Sequence, residues 1–171
     1  NCMGTVIGLD DSETDVMYQL RRDGTTNVGA PIAGTDSAIN FGLINMAGTY
    51  TVIATSNVNG CGTIMKGTAV LQPQPTAFTI LNSGKQCAGT PVVLNGSQTG
   101  TDYVLIQDNT FNIDTLSGTG NMIDFGPQNT TGTYTIIAIG GASTCQAAMN
   151  GFLQIQPNPL AFNITPAGIS C

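Results

Sequence analysis

The sequence contains no histidine and no tryptophan, and only four of its 171 residues are lysine or arginine. Without histidine it lacks the usual general base and triad member, and no glycine-rich phosphate loop lies between a strand and a helix. The formal net charge of -6 leaves no positive surface for nucleic acid or an anionic membrane. We therefore expect no enzyme, no cofactor and no nucleic-acid partner.

Long apolar runs are also missing. No run approaches the roughly 20 residues that a membrane-spanning helix needs, so we expect no membrane insertion. No signal peptide precedes Asn1, which indicates an internal excerpt of a longer protein. Charged residues make up only 8% of the chain, whereas Gly, Thr, Ser and Asn are abundant, a composition typical of secreted β-rich surface proteins. The expected location is extracellular, at the cell surface.

Much of the sequence is an internal repeat. Cys2, Gly4, Thr5, Leu9, Ser12, Tyr18 and Leu20 recur at Cys87, Gly89, Thr90, Leu94, Ser97, Tyr103 and Leu105, an offset of 85 residues. After a single-residue deletion the offset is 84, and it holds to the C-terminus, where a third copy begins. A period of this length suits a small domain with its own core rather than a solenoid unit.

Each copy is predicted to contain about seven short strands separated by turn residues. The predicted strands are residues 6–9, 16–21, 37–41, 49–54 and one ending at Leu71 in the first copy, and residues 91–94, 103–107, 121–125, 133–138 and one ending at Ile155 in the second. This pattern favours an all-β fold of two tandem immunoglobulin-like antiparallel β-sandwich domains, with a small barrel as the competing architecture. Tyr50 and Tyr134 stand where such folds place a corner tyrosine.

Pro-x-Pro segments at residues 73–75 and 157–159 mark the boundaries, because proline cannot donate to a sheet. The predicted domains are residues 1–74, which lack their first strand, residues 75–158, which are complete, and residues 159–171, the first strand of a following repeat. Residues 77–81 and 161–165 are interpreted as opening strands. The sheet edge left in the first domain could be filled by residues 161–165 of a neighbouring chain, but continuity of one long polypeptide explains the arrangement more simply.

Five cysteines in such a chain suggest disulfides: Cys2, Cys61, Cys87, Cys145 and Cys171. Pairing within repeats gives Cys2 with Cys61 and Cys87 with Cys145, and pairing at a 26-residue spacing gives Cys61 with Cys87 and Cys145 with Cys171. In a sandwich, both choices pair cysteines that lie at opposite ends of a strand, which are too far apart for a disulfide. The favoured third choice joins Cys2 to Cys145 across the junction between domains.

The motifs Cys-x-Gly, Leu-x-x-Ser-x-Thr-x-x-x-Tyr-x-Leu, Ile-x-Phe-Gly, Gly-Thr-Tyr-Thr and Met-x-Gly resemble repeats of giant cell-surface adhesins of the Bacteroidota. These adhesins are type IX-secreted and include proteins similar to the gliding-motility adhesin SprB. The resemblance covers essentially the whole chain, twice. It implies an extracellular immunoglobulin-like stalk or filament whose partners are neighbouring repeats. It also implies O-glycosylation in Asp-Ser/Thr-apolar patterns, with Ser37 and Thr115 as candidates.

Other candidate sites have simpler interpretations. Asp10, Asp11, Glu13 and Asp15 form an acidic loop, but the second copy has no carboxylate there, so a solvated loop is favoured over a calcium site. The four tyrosines are expected in the core or at corners rather than stacked on sugars. We expect a structural or adhesive repeat of a surface filament; the alternative is a carbohydrate-binding module, whose partners would be surface glycans.

Overall fold

The computed structural model describes residues 1–141 and 143–164, and within them it contains β-strands and turns but no helix. The contacts between its residues divide the chain into two compact units. Unit 1 comprises Asn1–Thr76 and Ile139–Ala147, and unit 2 comprises Ala77–Ala138 and the described residues after Ala147. The predicted limits at residues 74 and 158 stay a prediction, and the last predicted segment lies partly outside the described residues.

Unit 1 has two sheets. Its strands are β1 (Thr5–Leu9), β2 (Val16–Arg22), β3 (Thr26–Ala33), β4 (Ile39–Ile44), β5 (Gly48–Ser56), β6 (Gly62–Ile64) and β7 (Ala69–Leu71). One sheet is the antiparallel pair β1-β4, and the other has the order β3-β2-β5-β6, with β7 also paired to β5. Alternate residues of β5, Tyr50, Val52 and Ala54, are buried in a core that Leu20 and Leu71 complete.

Unit 2 repeats this plan and adds two strands. Its strands are β8 (Ile80–Leu81), β9 (Gly84–Cys87), β10 (Thr90–Leu94), β11 (Thr101–Gln107), β12 (Phe111–Ser117), β13 (Ile123–Gln128), β14 (Gly132–Gly140), β15 (Gln146–Ala148) and β16 (Leu153–Gln156). The end of β14 and most of β15 lie within Ile139–Ala147, which groups with unit 1. The orders are β13-β10-β8 and β12-β11-β14-β16-β9, with β15 paired to β14. Strand β9 runs parallel to β16. The β13-β10-β8 sheet therefore has a third strand that its counterpart in unit 1 lacks.

The predicted fold class is confirmed: the chain is all-β, with two tandem immunoglobulin-like sandwich domains. The corner tyrosines have the expected bonds, since the Tyr50 hydroxyl donates to the Met46 carbonyl at 2.7 Å and the Tyr134 hydroxyl to the Thr130 carbonyl at 2.9 Å. Each bond ties the loop that precedes β5 or β14 to the tyrosine within that strand.

Several predicted strands differ from the structure. The opening strand predicted at residues 77–81 is β8, which starts only at Ile80, and residues 161–164 form no strand. Strands β4 and β13 start at Ile39 and Ile123, two residues after the predicted starts. The carbonyls of Ser37 and Asn121 accept hydrogen bonds from the buried Ser12 and Ser97 hydroxyls, each at 2.6 Å. These side-chain bonds hold the residues just before β4 and β13 in a turn, so they do not pair with the neighbouring strand.

Candidate functional site

A disulfide joins Cys2 to Cys145, with their Cα atoms 5.6 Å apart. The two residues are separated by 143 positions in the sequence. Cys145 is completely buried, as expected for a bonded sulfur within a packed region. Both cysteines belong to unit 1, because Ile139–Ala147 contributes to that unit although the repeat assigns it to the second copy.

Backbone bonds position both sulfurs. Near Cys145, the Gly140 amide donates to the Cys145 carbonyl at 2.9 Å, and the Thr144 amide donates to the Gly140 carbonyl at 2.7 Å. Near Cys2, the Met3 amide donates to the Gln72 carbonyl at 3.0 Å. The Cys145 sulfur lies 4.0 Å from the same Gln72 oxygen. The chain start, the end of β7 and the turn after β14 therefore meet at this bond.

The disulfide in the structure is the pairing that the sequence favoured. Because Cys145 is bonded to Cys2, it is not bonded to Cys87 or to Cys171, and the other two sequence-based alternatives are not formed. Cys61 and Cys87 are free and exposed. Cys171 lies outside the described residues, so its pairing stays a prediction.

The four tyrosines lie in the cores. Their exposed fractions are at most 4%, so none offers a ring face to a sugar. Tyr18 and Tyr103 use their hydroxyl oxygens to accept the amides of Glu13 and Gln98, at 2.9 and 2.8 Å. Burial raises the pKa of the Tyr134 hydroxyl above its usual value, and the Asp108 carboxylate raises it further, although the bond to Thr130 acts in the opposite direction.

The other candidate residues lie apart from this site. In the described part of the chain, no group of three or more His, Cys, Asp or Glu residues could hold a metal ion. The Asp11 carboxylate instead accepts the Ser12 amide at 2.8 Å within its loop. Ser37 and Thr115, the candidates for O-glycosylation, are both exposed, and their modification stays a prediction.

A groove beside β1 was expected only in outline, as a missing strand. It has a volume of about 250 Å³ in unit 1 and extends past Asp10 and Asp11 into an adjoining recess. We call it the β1 groove; its lining residues include Gly8, Leu9, Met65, Lys66, Gly67 and Thr68. The core residues Leu20, Tyr50 and Val52 also line it. The signal in the sequence was the repeat register, in which residues 77–81 have no counterpart in the first copy.

No protein-family model matches the chain, and no curated protein matches it. Solved structures match at low similarity. A biofilm-associated protein BSP domain has 13% identity over 92% of this chain and 28% of that chain, with a TM-score of 0.32. Sidekick-1 immunoglobulin domains 1–5 have 9% identity over 92% of this chain and 35% of that chain, with a TM-score of 0.37. The fibronectin(III)-like modules of Clostridium thermocellum CbhA have 9% identity over 95% of this chain and 92% of theirs, with a TM-score of 0.34.

The chain thus spans about a third or less of the first two matched structures. With TM-scores below 0.5, these likenesses support no functional conclusion. No helix in the described residues is long and apolar enough to cross a bilayer.

Proposed function

We propose that the chain is a structural repeat segment of an extracellular surface filament or stalk, built to carry tension along the polypeptide. The observation that carries this proposal is the disulfide between Cys2 and Cys145. It connects two points 143 residues apart in the sequence through one covalent bond.

Tension applied to the polypeptide on both sides of this pair passes through the sulfur atoms. The residues between the cysteines then bear little of the load, so the hydrogen bonds and cores of that segment need not resist it. The shielded segment, whose ends are 143 positions apart, would otherwise extend by roughly 500 Å if it unfolded, at about 3.5 Å per residue. A segment with this bond stays short under load, which is the property that a stalk requires.

The same bond supports an extracellular location. A disulfide persists in oxidising compartments, including the extracellular space. The repeat motifs support the more specific proposal that the parent protein is a Bacteroidota adhesin exported by type IX secretion, with a role in gliding as a corollary. Labelling of intact cells with antibodies against the chain, lost when that secretion system is deleted, tests this origin.

Carbohydrate binding, the alternative left open by the sequence, has less support. A binding module presents aromatic rings to solvent, whereas all four tyrosines here are buried. The exposed aromatic residues in the described part of the chain are Phe111, Phe152 and Phe162. Specific binding of the isolated chain to a glycan array would favour the binding module over the stalk.

Single-molecule force spectroscopy tests the proposed function. With the chain pulled from its two ends, we expect the oxidised protein to show none of the unfolding length between Cys2 and Cys145. The Cys2→Ser variant should gain that length, roughly 500 Å. Cys87→Ser, which removes a free exposed thiol, is the matched control and should behave as the parent chain. Full unfolding lengths in the oxidised parent chain would contradict the proposal.

A further inference from the structure

The two free thiols are the repeat counterparts of the two bonded cysteines. Cys2 and Cys145 form the disulfide, whereas in the described part of the chain Cys87 and Cys61 are free and exposed. In the repeat register Cys87 corresponds to Cys2, and Cys61 corresponds to Cys145. We call Cys2, Cys87 and Cys171 the first-site cysteines, and Cys61 and Cys145 the second-site cysteines. The observed bond joins a first-site cysteine of one repeat to the second-site cysteine of the next repeat.

The backbone holds Cys87 as it holds the bonded Cys2. The amide after each cysteine donates to a glutamine carbonyl, that of Gln72 at 3.0 Å for Cys2 and that of Gln156 at 3.1 Å for Cys87. The next amide donates to the last carbonyl of β4 or β13, at 2.8 and 2.9 Å. Each cysteine carbonyl accepts the hydroxyl of the threonine three positions later, at 2.8 and 2.9 Å. Cys87 therefore has the same backbone surroundings as a cysteine that is bonded.

The turn around Cys61 likewise matches the turn around the bonded Cys145. Each cysteine carbonyl accepts the amide five positions upstream, at 2.9 Å in both turns. The carbonyl of that upstream residue accepts the amide just before the cysteine, at 2.9 Å for Cys61 and 2.7 Å for Cys145. Each cysteine amide donates to a side-chain oxygen two positions upstream, that of Asn59 at 3.0 Å or that of Ser143 at 3.2 Å. Both free thiols are thus held in the geometry in which their counterparts are bonded.

We propose that Cys87 forms a disulfide with the second-site cysteine of the following repeat, and Cys61 with the first-site cysteine of the preceding repeat, within the same polypeptide. The inference rests on the proposed function, which makes the chain a segment of a longer array of repeats. The sequence supports such an array, because residues 159–171 repeat the pattern of residues 75–87 and include a further first-site cysteine, Cys171. The partner of each free thiol is therefore a neighbouring repeat, in the order that Cys2 and Cys145 already show.

Each new bond forms by oxidation of two thiols. The disulfide of a thiol oxidoreductase is the oxidant: one cysteine attacks it to give a mixed disulfide, and the second cysteine then displaces the enzyme. Two electrons and two protons pass from the two cysteines to the oxidoreductase, which leaves as a dithiol. Cys61 and Cys87 are both exposed, so their sulfurs are accessible to this exchange.

Successive bonds of this kind overlap along the sequence. Each bond joins residues 143 positions apart, whereas the repeat period is 84 or 85 positions. Tension that crosses the bond between Cys2 and Cys145 next follows the 26 positions from Cys145 to Cys171, and then the bond of Cys171. A second path, offset by one repeat, follows the 26 positions from Cys61 to Cys87 and then the bond of Cys87. The array therefore has two covalent load paths in parallel.

Neither path includes the segments that contain most of the core strands. Residues 2–61 contain β1 to β5, and residues 87–145 contain β10 to β14. These segments connect one load path to the other and bear no end-to-end tension. Loss of a single disulfide leaves the second path complete, so the filament keeps its length when one bond is reduced.

A tandem chain tests the inference. Residues 1–169 followed directly by residues 1–171 continue the repeat register, because position 170 corresponds to position 1. The tandem chain has nine cysteines, four in its first part and five in its second. After export into an oxidising compartment, we expect three disulfides and three free thiols, counted by thiol titration of the denatured protein. A count of two disulfides and five free thiols would overturn the inference.

Serine variants at equivalent positions provide a matched control. Cys87→Ser in the first part removes one end of the new bond, so the number of free thiols should rise from three to four. Cys87→Ser in the second part removes a thiol with no following repeat in the tandem chain, so the number should fall from three to two. A fall of one free thiol in both variants would contradict the new bond.

Two further readouts complete the experiment. Covalent dimers of the tandem chain on non-reducing gels would overturn the inference, because they place the partner cysteine in a second molecule. Peptide mapping for the pair Cys2 and Cys145 reports separately on the bond that carries the proposed function. If that pair is present while Cys87 of the first part stays free, this inference fails and the proposed function does not.

Discussion

At the scale of single residues, each buried hydroxyl of a tyrosine has a specific partner. Tyr50 and Tyr134 donate to carbonyls four residues upstream, while Tyr18 and Tyr103 accept amides five residues upstream. These bonds allow a large ring to fill the core without burying an unpaired polar atom. The same arrangement in both copies explains why the tyrosines recur in the repeat.

Replacement of Tyr134 by phenylalanine removes the bond to the Thr130 carbonyl but keeps the ring. We expect the free energy of unfolding at pH 7 to fall by about 1 kcal/mol, measured by chemical denaturation. Tyr50→Phe removes the matching bond in unit 1 and should cost a similar amount. An unchanged stability in both variants would contradict the structural role of the corner bonds.

The raised pKa of Tyr134 predicts a dependence on alkaline pH. The folded state holds the phenol proton more tightly than the unfolded chain, so this stabilisation is present below pH about 10 and is lost as the pH rises through the folded pKa. Unfolding free energies measured above pH about 10 should decline less steeply for Tyr134→Phe than for the parent chain. Equal slopes would show that Tyr134 does not contribute.

The disulfide is a further residue-scale determinant of stability. Cys2→Ser removes a link that encloses 143 positions, and we expect it to lower the free energy of unfolding by about 2–5 kcal/mol. Thermal melts under non-reducing conditions measure the effect. Cys87→Ser should leave the melting temperature unchanged, and a reducing agent should lower the parent chain to the level of Cys2→Ser.

At the scale of elements, close backbone contacts hold the loops onto the strands. Gly34 follows β3, and a Cβ atom there would overlap the Glu13 carbonyl. Gly118 follows β12 and has the same relation to the Gln98 carbonyl. Both lie against the buried tyrosines Tyr18 and Tyr103. A side chain at Gly34 would push the end of β3 away from the loop before β2. A side chain at Gly118 would do the same to the end of β12 and the loop before β11.

Gly34→Ala should therefore destabilise unit 1 by about 3 kcal/mol or more, measured by chemical denaturation. Gly62→Ala is the control, because Gly62 lies on the exposed strand β6 and its added methyl group would lie 3.3 Å from the Ala54 carbonyl oxygen. We expect that variant to cost much less. Similar losses in both variants would show that the general cost of replacing glycine, rather than the contact at Gly34, sets the stability.

The elements differ in how far the sequence predicts them. Strands β5 and β14 are dense in β-branched and aromatic residues, and the alternation of these residues predicts which side chains face the core. Strand β9, with the sequence Gly-Lys-Gln-Cys, has no such signal and exists because its backbone pairs with β16. The membership of Ile139–Ala147 in unit 1 is a tertiary contact that the repeat period assigns to the other copy.

The site was predictable to a similar degree. The count of cysteines and the strand ends favoured Cys2 with Cys145, because the other pairings join opposite ends of a sandwich. The repeat register predicted a missing strand in the first copy. The register alone did not show that the core residues Leu20 and Val52 would line the groove.

At the scale of the whole molecule, the bond between Cys2 and Cys145 carries tension past the segment that lies between them in the sequence. The repeat provides the domains, and Cys2 and Cys145 connect residues 143 positions apart. The path of the load therefore depends on which cysteines are paired in the protein that cells produce.

Non-reducing peptide mapping of native material tests that claim most directly. Trypsin cleaves at Arg21, Lys66 and Lys85, which separates Cys2, Cys61 and Cys87 into different peptides. Chymotrypsin then cleaves after Tyr134 and Phe152, which isolates Cys145 from Cys87 and Cys171. The account predicts a linked pair of peptides that contain Cys2 and Cys145. A peptide that joins Cys2 to Cys61 would contradict it.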